Sequence, residues 1–425
     1  MEHLNLSSKA FNGTVPAAVA QLPALKSLLL DRNSFTGTYP AVEISELVEL
    51  ESLDLSSNAF VPAPVPSEFA KLAKLTSLFM DGMGLTGKIP EAFASLTELT
   101  GLSMSSNNLT GSIPAWVWQH RKLEFVNLSN NSRLSVKVAH SITTEFANLT
   151  KLAFLCMENL DLTGEIPEAF ASLTELKVLY MSSNNLTGSI PAWVWQHQKL
   201  EYVDLSNNNL SGELARNITA VNLAFLYLSM NHLTGELPEG FSNLKNLEEI
   251  DLSNNQLSGK LPPELGKHPP LGTIDVRNNN LSGPLPKTLC TNGKLKYIIA
   301  FNNSFTGELS ANIGDCIELQ SLALDDNHFS GDFPTKIWSL PNIDTVGIEN
   351  NRFTGTLPAE VSSSISGIWM GNNMFSGSIP TSATSLYTFR VDNNRLDGTL
   401  PADMSKLPNL KVLSVRGNRI TGPIP

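Results

Sequence analysis

One arrangement of residues returns about every 24 positions along this chain, and that regularity restricts the fold more than any local propensity does. Leu247, Ile250, Leu252, Asn255, Leu257, Gly259, Leu261, Pro262 and Leu265 come back in the same order as Leu271, Ile274, Val276, Asn279, Leu281, Gly283, Leu285, Pro286 and Leu289. Roughly eighteen such units fill residues 1–425, the last interrupted at Pro425. Apolar residues at places one, four and six alternate with polar ones, which describes a short strand with one buried face. A single unit cannot bury those side chains by itself, so neighbouring units must stack and their strands must run parallel. Asn208, Asn231, Asn255, Asn279, Asn303, Asn327 and Asn351 occupy place nine, where their amides can satisfy backbone groups of adjacent turns as an internal ladder. A Gly that suits an unusual backbone conformation and a Pro with fixed φ then lead the chain into its return segment.

The pattern resembles the plant-specific class of leucine-rich repeat, of which "NNLTGSIP" at 184–191 and "NQLSGKLP" at 255–262 are close matches. The resemblance implies a leucine-rich-repeat solenoid: a curved right-handed superhelix with a concave parallel sheet, a short second sheet at the L-[TS]-G stretch, and a 3-10 or irregular convex side. Residues 1–425 are then expected to form a single solenoid with no linker. Members of this class usually carry a cysteine-pair cap before the first repeat, whereas this chain has Cys156, Cys290 and Cys316 alone. No caps are expected at either end, and Met1 falls directly inside a repeat, without a signal peptide. The abrupt ends read as those of a fragment or an incomplete gene product.

Residues 85–131 and 162–208 are nearly the same sequence, an internal duplication that even copies a defect: Met83 and Leu160 both stand where the ladder Asn belongs. The junction at 132–148 loses the Gly-x-Ile-Pro signature and is expected to protrude as an irregular segment. Cys290 and Cys316 lie in successive convex segments. They pair if their Cα atoms approach within about 7 Å; alternatively Cys316 simply fills a leucine site in the core. Cys156 is expected on the exposed side of its strand, unpaired. His120 and His197 read as partly exposed and satisfied by backbone, and the Trp116/Trp118 and Trp193/Trp195 pairs as packed between turns.

Net charge is −11, with no Lys/Arg run, which argues against nucleic acid as a partner. No stretch is apolar enough to span a membrane. The seven His are scattered without metal-ligand spacing, and there is no phosphate loop, nucleophile elbow or kinase signature. No enzyme activity, metal or cofactor is therefore expected. What such a fold offers is the outward face of its concave sheet. There the pattern places Phe125, Phe154, Tyr180, Tyr202, Asp204, Phe225, Tyr227, Asp251, Asp275, Tyr297, Phe301 and Trp369. Aromatics at about 5 Å strand spacing are recognition anchors, and the acids favour a partner carrying Lys or Arg.

Asn5, Asn12, Asn108, Asn127, Asn130, Asn148, Asn185, Asn209, Asn217, Asn280 and Asn302 each begin an N-x-[ST] sequon. "LPKTLCTNGKLKYIIAFNNSFTGELSANIGDCIELQSLALDDNHFSG" at 285–331, with "GDFPTKIWSLPNI" and "GIWMGNNMFSGSIPTSA" beyond it, resembles ectodomains of plant leucine-rich-repeat receptor-like kinases of the HAESA type and related grass receptor kinases. That resemblance implies a non-enzymatic module, a receptor-like ectodomain or soluble decoy. It would bind a peptide or protein on the concave face, with a co-receptor, in the apoplast or at the plasma-membrane surface. HAESA-type receptors clamp a peptide carboxylate with an Arg-x-Arg pair. The matching places here are Ser321 and Ala323, followed by Asp325 and Asp326, so the clamp is absent and the local charge reversed. Two other functions compete. The Thr/Ser file at place twelve, from Thr36 to Thr354, is the pattern of an ice-binding surface, and shorter members of the class inhibit microbial wall-degrading enzymes.

Overall fold

The computed structural model describes residues 1–134, 137–138, 149–268 and 270–424. Most of the expected irregular junction at 132–148 lies outside the described residues, as does Asn148. The chain divides into two compact units, Met1–Leu210 and Ser211–Pro425.

In the first unit each repeat contributes one three-residue strand to a parallel sheet, from His3–Asn5 and Ser27–Leu29 to Val178–Tyr180 and Tyr202–Asp204. The register never slips: Leu4 aligns with Leu28, Leu28 with Leu53, Leu155 with Leu179 and Leu179 with Val203. Constancy of register follows from the two-residue side-chain period, because a slip by one would turn every buried leucine outward. The second unit repeats the construction from Phe225–Tyr227 and Glu249–Asp251 to Thr388–Arg390 and Val412–Ser414. The place-four residues of these strands, such as Leu78, Leu155, Leu226 and Leu322, are buried, and burying each stabilises the stack by roughly 1.5–3 kcal/mol.

A second set of parallel strands forms at the L-[TS]-G stretch. In the second unit Ser211–Glu213, His232–Glu236, Gln256–Lys260 and their successors through Arg352–Thr354 make one seven-stranded sheet. The glycine here answers two demands. Gly259 has φ +75, and a Cβ there would come within 2.6 Å of Glu236 Cγ, whose stem lies across the glycine of the following turn. Beneath this sheet Phe305, Phe329 and Phe353 stack face to face at 5.9 and 5.8 Å, all buried.

Return segments open on proline. Pro66, Pro90, Pro167 and Pro238 each precede a 3-10 turn, where a missing N–H costs nothing because the first turn has no acceptor for it. Lys71–Glu46, Lys122–Glu98 and Lys199–Glu175 pair adjacent turns on this side; being exposed, such pairs are screened and add little.

The ladder asparagines join the repeats. Asn327, 4% exposed, accepts the Phe305 N–H at 3.0 Å, while its Nδ2 lies 3.0–3.1 Å from the carbonyls of Ala300, Leu324 and Asp325. Met83 and Leu160 are buried apolar substitutes. Their own N–H groups, and those of Leu85 and Leu162, are taken by the next ladder residues, Asn107 and Asn184. The residue before the ladder Asn is held at positive φ in almost every turn, for example Asn254 and Asn278 at 55°, a conformation that Asn tolerates better than most side chains.

The two copies of the duplication pack their Trp and His rings alike, although the return is a short α-helix at Ala115–Gln119 and a 3-10 turn at Ala192–Trp195. Trp116 Nε1 donates to the Pro90 carbonyl at 3.1 Å and Trp193 Nε1 to Pro167 at 3.2 Å. All four tryptophans are buried. His120 and His197, expected to be partly exposed, are buried instead, because the neighbouring Trp ring and the previous turn cover them. Each ring Nε2 lies 2.9 Å from a backbone carbonyl, of Leu96 and Leu173 respectively.

Replacing Asn327 by Ala leaves the buried Phe305 N–H without its acceptor and removes one donor each from the carbonyls of Ala300, Leu324 and Asp325, which keep Asn303, Asn351 and the Asn302 N–H. The expected loss is about 2–4 kcal/mol in urea unfolding; a loss below about 0.5 kcal/mol would show that the ladder is incidental.

Candidate functional site

On the outward face of the first unit, the first and third residues of each strand form two rows. One row runs Ser77, Gly101, Phe125, Phe154, Val178, Tyr202; the other runs Phe79, Ser103, Asn127, Cys156, Tyr180, Asp204. Their rings gather into two groups. Phe125 meets Phe79 edge-on at 6.0 Å and Phe154 at 6.0 Å, while Tyr180 meets Tyr202 edge-on at 4.7 Å. Phe154 is 39% exposed. Phe79 was not anticipated from sequence. Gly101 admits it, since a Cβ at that position would press on the Phe79 ring at 3.2 Å. Burial, with Tyr202 beside it, pushes the Tyr180 hydroxyl well above its usual range.

Cys156 corrects the expectation of an exposed thiol. It occupies an outward row between Asn127 and Tyr180, yet it is buried and unbonded. Burial, reinforced by Glu158, pushes the thiol up to about 12, so it stays protonated and unreactive. Asp204 is half-buried and accepts bonds from the backbone N–H and hydroxyl of Ser206 at 3.0 and 2.6 Å.

The second unit's face begins with Phe225 and Tyr227. The Tyr227 hydroxyl donates to Glu249 Oε2 at 2.6 Å, and Asp251 aligns with both Tyr227 and Asp275. Asp251 accepts the Ser253 N–H at 2.9 Å. Asp275, expected to be an open contact residue, is 7% exposed. Burial, and then the neighbouring Asp251 charge, raise it to about 6, although Arg277 stands 3.5 Å away. Arg277 also lies over the Phe301 ring, 5.7 Å from its centre. Tyr297 is exposed and donates to Gln320 Oε1 at 2.7 Å. Trp369 is half-buried on the Gly367–Trp369 strand. Where a carboxylate clamp would need two arginines, the Ser321 hydroxyl instead accepts from Thr345 at 2.7 Å, beside the small Ala323.

Away from these faces, Cys290 and Cys316 are joined as a disulfide with Cα atoms 5.0 Å apart. Cys316 is also fully buried, at the end of the Ala311–Asp315 turn where other repeats place leucine. It thus fills the core and bridges turns at once. Of the described sequon asparagines, Asn127 is half-buried on the sheet face and the others are exposed. The place-twelve hydroxyls are partly engaged internally: Ser282 donates to the Gly259 carbonyl and Thr354 to Asp332. Among the described residues no group of His, Cys, Asp and Glu is placed to hold a metal ion, and no helix is long and apolar enough to cross a membrane.

Leucine-rich-repeat family profiles match residues 157–210, 221–267 and 98–119. Receptor-like protein 9b of Arabidopsis thaliana is 41% identical over 66 residues, which is 16% of this chain and 7% of that protein. Two solved structures of the Arabidopsis receptor kinase HAESA superpose along nearly the whole chain. The complex with the peptide hormone IDA and the co-receptor SERK1 has a TM-score of 0.92 at 29% identity, covering 100% of this chain and 75% of the other. The ectodomain with an N-terminally extended IDA peptide has a TM-score of 0.81 at 32% identity, covering 99% and 79%. The chain belongs to the leucine-rich-repeat family, in the group formed by plant receptor-kinase ectodomains.

Buried Asp275 and half-buried Asp325 set a pH dependence of stability. Asp275 and Asp325 are both raised to about 6, above the ordinary aspartate value of 3.8. The folded chain therefore binds their protons more tightly than the unfolded chain, and stability rises as pH falls from about 7 toward 4. The urea midpoint is expected to be higher at pH 5 than at pH 7, and the difference smaller in Asp275→Asn. An unchanged pH slope in that variant would contradict the assignment.

Proposed function

We propose that this chain is a non-catalytic recognition module that takes an extended peptide, or a segment of a protein, along the outward face of its parallel sheet. The observation that carries the reading is the aromatic surface of the first unit, where Phe79, Phe125 and Phe154 form one cluster and Tyr180 and Tyr202 another. Rings held by sheet neighbours bury large area at little entropic cost, which is what recognition anchors require. The second unit adds acids along its own face, Glu249, Asp251 and Asp325 among them, and these favour a ligand with basic residues. HAESA, the similar receptor kinase, is known in complex with a peptide hormone and a co-receptor. By that likeness the present chain acts outside the cell, as a glycosylated receptor-like ectodomain or soluble decoy, and a co-receptor belongs among its partners.

The test is selection of a random 12-residue peptide library on the immobilised chain, followed by calorimetry of enriched sequences. Peptides with micromolar or better affinity are expected. Phe125→Ala and Tyr202→Ala are each expected to weaken them at least tenfold, with unchanged thermal unfolding. Failure to enrich any peptide, or binding indifferent to both substitutions, would overturn the reading.

A further inference from the structure

Two strand-face positions, Gly347 and Gly367, and Gly371 just past the second strand are glycine, where most repeats carry a side chain. Each clears room for a neighbour. A Cβ on Gly367 would overlap the six-membered ring of Trp369, so the indole lies back along its own strand, over that glycine. A Cβ on Gly347 would come 2.5 Å from Asp325 Oδ2, and one on Gly371 3.1 Å from Glu349 Oε1. Gly347 is paired directly with Ala323 on one side and Trp369 on the other. The result is a notch at Gly347 with the Asp325 carboxylate leaning over it from the preceding turn, and on the next strand an indole turned back toward Gly367, beside Thr345.

The charges around this notch are uneven. Asp325 accepts the Glu349 N–H at 2.8 Å, and Asp326 and Glu349 stand near it as further acids. Arg390, paired in register with Trp369, acts on Glu349, and Asp392 lies beyond. Among the described residues no ion pair reaches Asp325, and no ring or cation is stacked on Trp369. A half-buried carboxylate with a half-buried indole two strands on is complementary to a cation with apolar flanks, because the ring face attracts the charge and the acid neutralises it.

We propose that the Gly347 notch between Asp325 and Trp369 is a docking site for one basic side chain, Lys or Arg, of the bound peptide or protein. The proposal rests on the sheet-face reading above and locates one determinant of its specificity. A cation seated there requires the ionised carboxylate. Asp325, held up to about 6 by burial, would then lose its grip as pH falls below that value, against the opposing pull of Asp326 and Glu349 and the repulsion of Arg390.

The test uses the full chain labelled with 5-fluorotryptophan, the Trp369 resonance being assigned by Trp369→Phe. N-acetyl-arginine amide is the probe and N-acetyl-norleucine amide its neutral control. A saturable shift of the Trp369 resonance with the arginine probe alone is expected. Its apparent affinity should weaken about tenfold between pH 7 and pH 5, as expected for a site that needs an acid with a value near 6. Asp325→Asn and Gly347→Ala are each expected to weaken it at least tenfold, and the five other tryptophan resonances report whether those variants stay folded. No saturable shift, an equal shift with norleucine, or full retention in Asp325→Asn would overturn the proposal. The outcome is separable from that of the peptide selection. Selected peptides indifferent to Asp325→Asn refute the notch and leave sheet-face binding standing, whereas an arginine-specific shift without any selectable peptide does the reverse.

Discussion

A leucine on a three-residue strand can leave water only beneath the next turn of the same chain. That constraint organises everything else in the molecule. Because each turn covers its neighbour, backbone polar groups between turns are sealed from solvent and need partners of their own. The ladder asparagines meet that need, Asn327 alone serving four backbone groups drawn from two adjacent repeats. Met83 and Leu160 show how local the arrangement is. Where the amide is missing, the following ladder residue takes up two N–H groups, and the turns on either side keep their strand register. Interactions restricted to nearest neighbours also explain why a duplicated block can be inserted and keep the same ring packing.

Interior features with a strict period were legible in the sequence. The leucines, the ladder and the proline-led returns each recur at fixed spacing, and spacing translates directly into burial. Side-chain exposure on the sheet face was harder to read, because it depends on the two flanking strands rather than on the residue's own position. Asp275 and Cys156 sit at outward places and are nonetheless covered. Phe79 joins the aromatic surface because Gly101 on the next strand leaves room for it. The signal that could have found Phe79 and the Trp369 notch is glycine at an outward strand position. It appears meaningful only when the registers of adjacent repeats are laid side by side. His120 and His197 illustrate the same point on the return side, where the packed Trp rings bury residues that the sequence alone leaves at the surface.

With the interior consumed by stacking, the outward sheet face is where residue choice is free. Both units carry rings there, those of the first unit gathered into edge-on groups, and the second adds carboxylates, several of them raised by burial. A charge-reversed neighbourhood at Ser321, Ala323, Asp325 and Asp326 does not suit a peptide whose free carboxylate must be clamped. It suits a basic one. The chain therefore shares its scaffold with the receptor-kinase ectodomains, and its sheet face carries acids at these places.

The central claim, that recognition occurs on the sheet face, is tested most directly by hydroxyl-radical footprinting with and without a bound peptide. The account predicts that oxidation of Phe125, Phe154 and Tyr202 falls severalfold on binding, while Ile317 on the return side is unchanged. Protection of Ile317 and its return-side neighbours, with the three rings oxidised as before, would contradict it.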